Sequence, residues 1–143
     1  MTIASPVVDE VSAHASECQP LECCGLLLGT SDHITQAVRS PNIAESPTRF
    51  LLDPRTHIEA RRTARNQGLQ VIGFYHSHPH SQPYPSATDL AEAAYPECVH
   101  LIVGFIDGKA EVRLFNYKDG RARELPLLIG AADSRLDLNG DRG

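Results

Sequence analysis

The stretch that most restricts how this chain folds is residues 73–89, GFYHSHPHSQPYPSATD. The segment that runs into it, LQVIGFYHSH (69–78), is rich in β-branched and aromatic side chains and predicts a strand. The next seven residues, PHSQPYP, contain three prolines. Proline fixes φ and lacks the amide donor, so this piece forms neither helix nor ladder strand. SATDLAEAAY (86–95) then opens with a capping signature and predicts a helix. A strand must end here, the chain must turn irregularly, and a helix must begin close by.

Side chains two apart on a strand share a face, so His76 and His78 present two imidazoles together. That is half of a tetrahedral zinc site, and a strand cannot curl back to supply the other half. The proline-rich loop does the returning, to Ser86 and Asp89. A carboxylate in a first helical turn reaches forward beyond the helix end. His76, His78 and Asp89 make three protein ligands and leave a fourth position for water, the pattern of a catalytic zinc. Zinc lowers the pKa of such a water to about 7. The same donors also suit iron or manganese. Taken alone, Ser86-x-x-Asp89 reads better as a helix capping box, and HSH alone reads as a pair of surface histidines. Their joint spacing across the loop favours the site. His80, beyond Pro79, belongs at its rim, and His14, His33, His57 and His100 lack ligand spacing and read as ordinary.

A hydrolytic metal site also needs a general base. Glu22, in PLECCGLLLG, stands just before an apolar run, where a carboxylate is costly unless it has a partner. The competing reading is a solvated Glu where the strand begins. Cys24, two residues on, shares that face if the strand continues through Glu22. It is expected to be a core thiol, the alternative being a thiol that occupies the metal site.

The remaining elements follow from pattern. Residues 6–18 predict an amphipathic helix ended by Pro20, and 23–30 and 34–40 predict strands joined by a tight turn. TRFLLDP (48–54) predicts a third short strand, and Asp53-Pro54 opens a helix that stops at Gly68. Residues 98–106, 110–118 and 121–129 predict strands joined by Asp-Gly turns at 107–108 and 119–120. The expected domain is a single α/β unit over 1–130 with a polar tail, 131–143, whose DLNGD lacks the Gly and distal Glu of a calcium loop.

Charge and cysteine usage narrow the function classes. The net charge is −5, and the basic cluster Arg55, Arg61, Arg62 and Arg65 lies on a predicted helix as a solvated face, so nucleic acid is not the expected partner. No secretory leader and no apolar run of membrane length is found, so no membrane partner is expected. The four cysteines form no CxxC pair, which fits reduced thiols and a cytoplasmic location. The oligomeric state stays open.

His76-Ser77-His78-Pro79, continued to Ser86 and Asp89, resembles the signature of the JAMM (MPN-plus) metalloproteases, and Glu22 ahead of CGLLLG (24–29) is similar to the segment that carries that family's catalytic glutamate. The resemblance covers roughly residues 5–130, and no ligand or catalytic position is missing, unlike the family's inactive scaffolds. It implies a cytidine-deaminase-like fold, a central mixed β-sheet flanked by helices. It implies Zn2+ held by His76, His78 and Asp89, with Glu22 as proton shuttle and Ser86 as hydrogen-bond donor to the oxyanion. A zinc deaminase itself is disfavoured, because HSH stands where HxE is required and Cys98 has no PCxxC partner. The short connections resemble compact bacterial members that trim sulfur-carrier proteins. The implied activity is peptidase or isopeptidase cleavage at the C-terminal tail of a ubiquitin-like or sulfur-carrier protein. Two alternatives remain: a zinc hydrolase of small peptides or amino-acid conjugates, and a non-catalytic module stabilised by zinc.

Overall fold

The structure is a computed structural model that describes residues 1–130; the expected polar tail, DLNGD included, lies outside the described residues. Eleven elements follow one another: β1 (Thr2–Ala4), α1 (Ser5–Cys18), β2 (Cys24–Thr30), β3 (His33–Ser40), α2 (Pro54–Asn66), β4 (Gln70–Ser77), α3 (Ala87–Ala91), β5 (Val99–Ile106), β6 (Lys109–Lys118), β7 (Arg121–Leu125) and β8 (Leu128–Gly130). Among the described residues no helix is long and apolar enough to cross a membrane.

The strands form one mixed sheet in the order β7-β6-β5-β4-β2-β3-β1-β8. Laid flat, eight strands would hold β7 and β8 about 34 Å apart at ~4.8 Å spacing. Yet Leu125 and Leu128, the facing ends of those two edge strands, are three Cα steps apart, at most about 11 Å. The sheet therefore curls until its edges approach each other, and α1 lies in the hollow.

Strand alternation sorts side chains to two sides. Cys23, Leu27, Tyr75, Leu101 and Val103 pack with Val7, Val11 and Ala15 of α1. Leu26, Leu28, Val71 and Phe74 pack with Ala60 and Ala64 of α2. Tyr75 is fully buried, and its hydroxyl is 2.7 Å from Nδ1 of His14, which makes His14 a satisfied core histidine. Arg55, Arg61, Arg62 and Arg65 are exposed on α2 as expected.

Four expectations are corrected. First, β1 was not anticipated, since three residues carry no readable period. Second, residues 48–54 are not a strand. Their one pairing is a bridge between Asn42 and Leu52, and the Asn42 side chain supplies the bonds a ladder would. Its Oδ1 accepts from the amides of Ala44 and Leu51 at 3.0 and 2.9 Å, and its Nδ2 donates to the carbonyls of Glu22 and Arg49, both at 3.1 Å. Third, the helix expected over 86–95 ends at Ala91, and by Tyr95, just ahead of Pro96, the backbone has turned to a φ of 59°. Fourth, 121–129 breaks at Pro126, so its last residues cross to β1 at the other sheet edge. At α2, Asp53 holds the capping position, but its carboxylate accepts from the Thr56 hydroxyl, 2.9 Å away, instead of from a backbone amide. Both Asp-Gly turns form with positive φ at both residues, as their type requires.

Candidate metal centre

β4 runs antiparallel to β2 and parallel to β5, and its C-terminal end delivers His76, Ser77 and, one residue further, His78. The proline-rich loop is then stitched to β5: the His78 amide donates to the Val103 carbonyl (2.8 Å) and the Phe105 amide donates to the Ser81 carbonyl (2.9 Å). Gly104 lies between these bonds, and a Cβ there would stand 2.6 Å from the Ser81 oxygen. The loop can lie this close to the strand only because position 104 has no side chain.

The loop ends in α3, where Ser86 and Asp89 form a complete capping box. The Ser86 Oγ accepts from the Asp89 amide at 3.0 Å, and the Ser86 amide donates to Asp89 Oδ2 at 2.9 Å. The capping reading and the site reading of Ser86-x-x-Asp89 thus coexist in one geometry. The box aims the carboxylate, because Oδ2 also faces Nε2 of His76 (3.2 Å) and Nε2 of His78 (3.1 Å). The two Nε2 atoms are themselves 3.2 Å apart.

This triangle fits a metal. A tetrahedral ion with bonds of about 2.0–2.1 Å has donor–donor edges of about 3.3 Å, close to the three separations found. All three side chains are buried. Burial lowers the His76 pKa, so its imidazole stays neutral with a lone pair to give. Burial opposes protonation of His78 too, but the hydrogen bond and charge of Asp89 raise it. Burial alone would raise Asp89; the hydrogen bonds from both histidines outweigh it and hold the carboxyl well below the usual range.

Glu22 stands two residues before the start of β2, with its backbone tied to the 41–53 loop by its amide, which donates to Ser46 O (3.0 Å), and by its carbonyl, which accepts from Asn42. The side chain is 3% exposed, and Oε1 has no hydrogen-bond partner among the described residues. Burial pushes this carboxyl up to about 8; the nearby His78 pulls it down and Asp89 pushes it further up. It is not the solvated Glu of the competing reading. Cys24 is opposite His76 in the β2–β4 register and buried, its Sγ near the Ser40 and Pro41 carbonyls (3.9 and 3.6 Å). Burial pushes the thiol up to about 12, away from the thiolate form, and it lies outside the ligand cluster. His80 is exposed.

Sequence reasoning missed the surroundings of His76. The Phe50 ring stacks on it at 4.5 Å between centroids. A cavity of ≈ 430 Å³ opens beside it, walled by Phe50, Leu52, Phe74 and Tyr95, with His100 and Tyr117 inside. Burial pushes His100 down to about 4, and its ring stacks on Tyr117 at 4.3 Å. The signal was the parity of β5: His100 pairs with Phe74 in the parallel register, so it shares the face of His76.

Comparison with known proteins agrees with this geometry. Residues 4–117 match the family described as prokaryotic homologs of the JAB domain. The chain is 38% identical over 109 residues to a desampylase of Haloferax volcanii, covering 71% of this chain and 78% of that one. It is 30% identical over 132 residues to a CysO-cysteine peptidase of Mycobacterium tuberculosis, covering 90% of each. A solution structure of a Desulfitobacterium hafniense protein superposes with a TM-score of 0.84 at 29% identity, covering 92% of this chain and 94% of that one. A JAB1/MPN domain protein from Archaeoglobus fulgidus shares the fold with a TM-score of 0.58 at 23% identity, covering 90% and 99%. The chain belongs to the JAB family, as a peptidase of the JAMM (MPN-plus) type.

Proposed function

We propose that this peptidase works with zinc and cleaves after the C-terminal Gly-Gly of a ubiquitin-like or sulfur-carrier protein, releasing whatever is joined there. The observation that carries the reading is the buried triangle of His76, His78 and Asp89 beside a buried carboxyl, Glu22, whose Oε1 has no partner. The relatives named CysO-cysteine peptidase and, in Thermus thermophilus, probable TtuB-protein conjugate cleaving protease support the substrate class.

His76, His78 and Asp89 would hold the ion. When bound, zinc supplies a Lewis acid that polarises a carbonyl and makes water acidic enough to be a nucleophile near neutral pH. Glu22 is the general base. Its carboxylate takes a proton from the attacking water and gives it to the leaving amine, and burial, which favours the neutral carboxyl, helps it hold that proton between the two transfers. Ser86 is the charge stabiliser. Its Oγ already accepts from the Asp89 amide, so its own proton is left to donate to the oxygen that becomes negative.

The test is incubation of zinc-loaded protein with a sulfur-carrier protein extended by one residue past Gly-Gly, read by mass spectrometry, with Glu22→Gln as the control. Cleavage after Gly-Gly by the unsubstituted protein alone is expected. Normal turnover by Glu22→Gln would exclude Glu22 as the base. No cleavage by a protein holding one zinc per chain would exclude this substrate class.

A further inference from the structure

The cavity beside His76 holds two polar atoms that the fold leaves unpaired. His100 is 7% exposed and Tyr117 is 6% exposed, and among the described residues neither His100 Nε2 nor the Tyr117 hydroxyl has a hydrogen-bond partner. The Ala94 backbone favours the protonated His100 ring, while Nε2 stays without a partner among the described residues. With the neutral ring's proton on Nδ1, Nε2 is an acceptor. The Tyr117 hydroxyl can donate as well as accept. A buried polar atom without a partner costs about 1–3 kcal/mol, so two of them call for an occupant in a hollow whose charged lining residues Arg49 and Glu92 are exposed and paired with each other.

The walls define that occupant. Phe50, Leu52, Phe74 and Tyr95 suit a flat or branched apolar body, and ≈ 430 Å³ has room for a full aromatic side chain. Inside, an acceptor next to a hydroxyl suits a neutral tip that both donates and accepts, such as a phenol, an alcohol or a carboxamide. A carboxylate would meet the His100 lone pair with nothing to offer it. His76 and Asp89 belong to the wall, so the hollow is continuous with the reacting centre. The two residues before the cut are glycines in the proposed substrate and have no side chains to place. The side chain next to the reacting bond is then that of the residue released.

We propose that this cavity is the specificity pocket for the released residue, selecting an uncharged side chain with a hydrogen-bonding tip through His100 Nε2 and the Tyr117 hydroxyl. The inference rests on the function proposed above for its cleavage readout, and a binding readout keeps the two separable.

Two measurements decide it. In the first, carrier proteins ending Gly-Gly-X, with X as Tyr, Phe, Gln, Asp or Gly, are compared by kcat/KM. Tyr is expected to exceed Phe about fivefold and Asp by more than tenfold, and Tyr117→Phe is expected to bring the Tyr-to-Phe ratio to one. A flat series, or a ratio that survives Tyr117→Phe, overturns the pocket while leaving the peptidase reading in place. In the second, the metal-free protein is titrated with L-tyrosinamide, L-phenylalaninamide and L-aspartic acid amide, followed by NMR of the His100 and Tyr117 rings. Saturable shifts with tyrosinamide, at least fivefold weaker in Tyr117→Phe, support the pocket even if no extended carrier is cleaved. The absence of such shifts overturns it.

Discussion

Burial leaves the Glu22 carboxyl in a place where its charged form is disfavoured, and this has a thermodynamic signature. Its folded pKa, about 8, is above the ordinary value of 4.5. A raised folded pKa means that the stability contributed is fully present below 4.5 and is lost as pH rises toward 8. At pH 7 that loss is roughly 3 kcal/mol. In metal-free protein, Glu22→Gln is therefore expected to melt several degrees above the unsubstituted chain at pH 8, with the gap closing toward pH 4.5. Calorimetry across that range checks it, and an equal or lower melting temperature at pH 8 would refute it. A base chosen for folding alone would not show this conflict between stability and turnover. The triad residues were readable from the sequence because their chemistry is tied to short spacings. Phe50, His100 and Tyr117 were not, because they reach His76 only through strand register and through a loop whose path depends on Asn42.

Among the elements, two connections hold the site, and each depends on one residue. Asn42 makes four hydrogen bonds with the backbone around Glu22 and Arg49. Asn42→Ala is expected to lower stability by about 2–4 kcal/mol, at ~1 kcal/mol for each bond, measured by urea unfolding. It should also lower kcat, since one of those bonds holds the Glu22 carbonyl just ahead of β2. Gly104 lets the proline-rich loop lie on β5. Gly104→Ala should cost about 1–3 kcal/mol through overpacking and weaken zinc binding in calorimetric titration, although it touches none of the three proposed ligands. Most elements were legible to within two residues, because α1, α2 and the long strands carry clear periods. The misread pieces are those where local bonding replaces a period: the Asn42-organised loop, the foreshortened α3, and the strand that Pro126 divides.

At the scale of the whole molecule, the sheet stands without the ligands. The two main apolar clusters lie between the sheet and α1 and between the sheet and α2, and they hold most of the buried apolar side chains. Chelation is expected to abolish cleavage and leave the far-ultraviolet circular dichroism unchanged. The melting temperature should fall only by what binding adds, about 4 kcal/mol at a thousand times Kd. Unfolding on chelation would instead favour the zinc-stabilised module. The α/β class and the flanking helices could be read from the sequence, but the curl could not. It depends on β1 and β8, three residues each, whose pairing joins Thr2–Ala4 to Leu128–Gly130 across the whole domain.

The directions of the strands divide the molecule into two ends. β4 and β5 both point toward the metal centre, so the proline-rich loop, the Asn42 loop and the 107–108 turn gather there. The turns at 31–32 and 119–120 and the bend at Gly68 fall at the far end, and a Cβ at Gly68 or Gly120 would meet nothing within 4 Å. The far end is thus the natural port for grafting. A tag, a tether or a second domain spliced into the 119–120 turn should leave substrate access untouched, whereas one extra residue between His78 and Asp89 would uncouple the strand from the helix that must meet it.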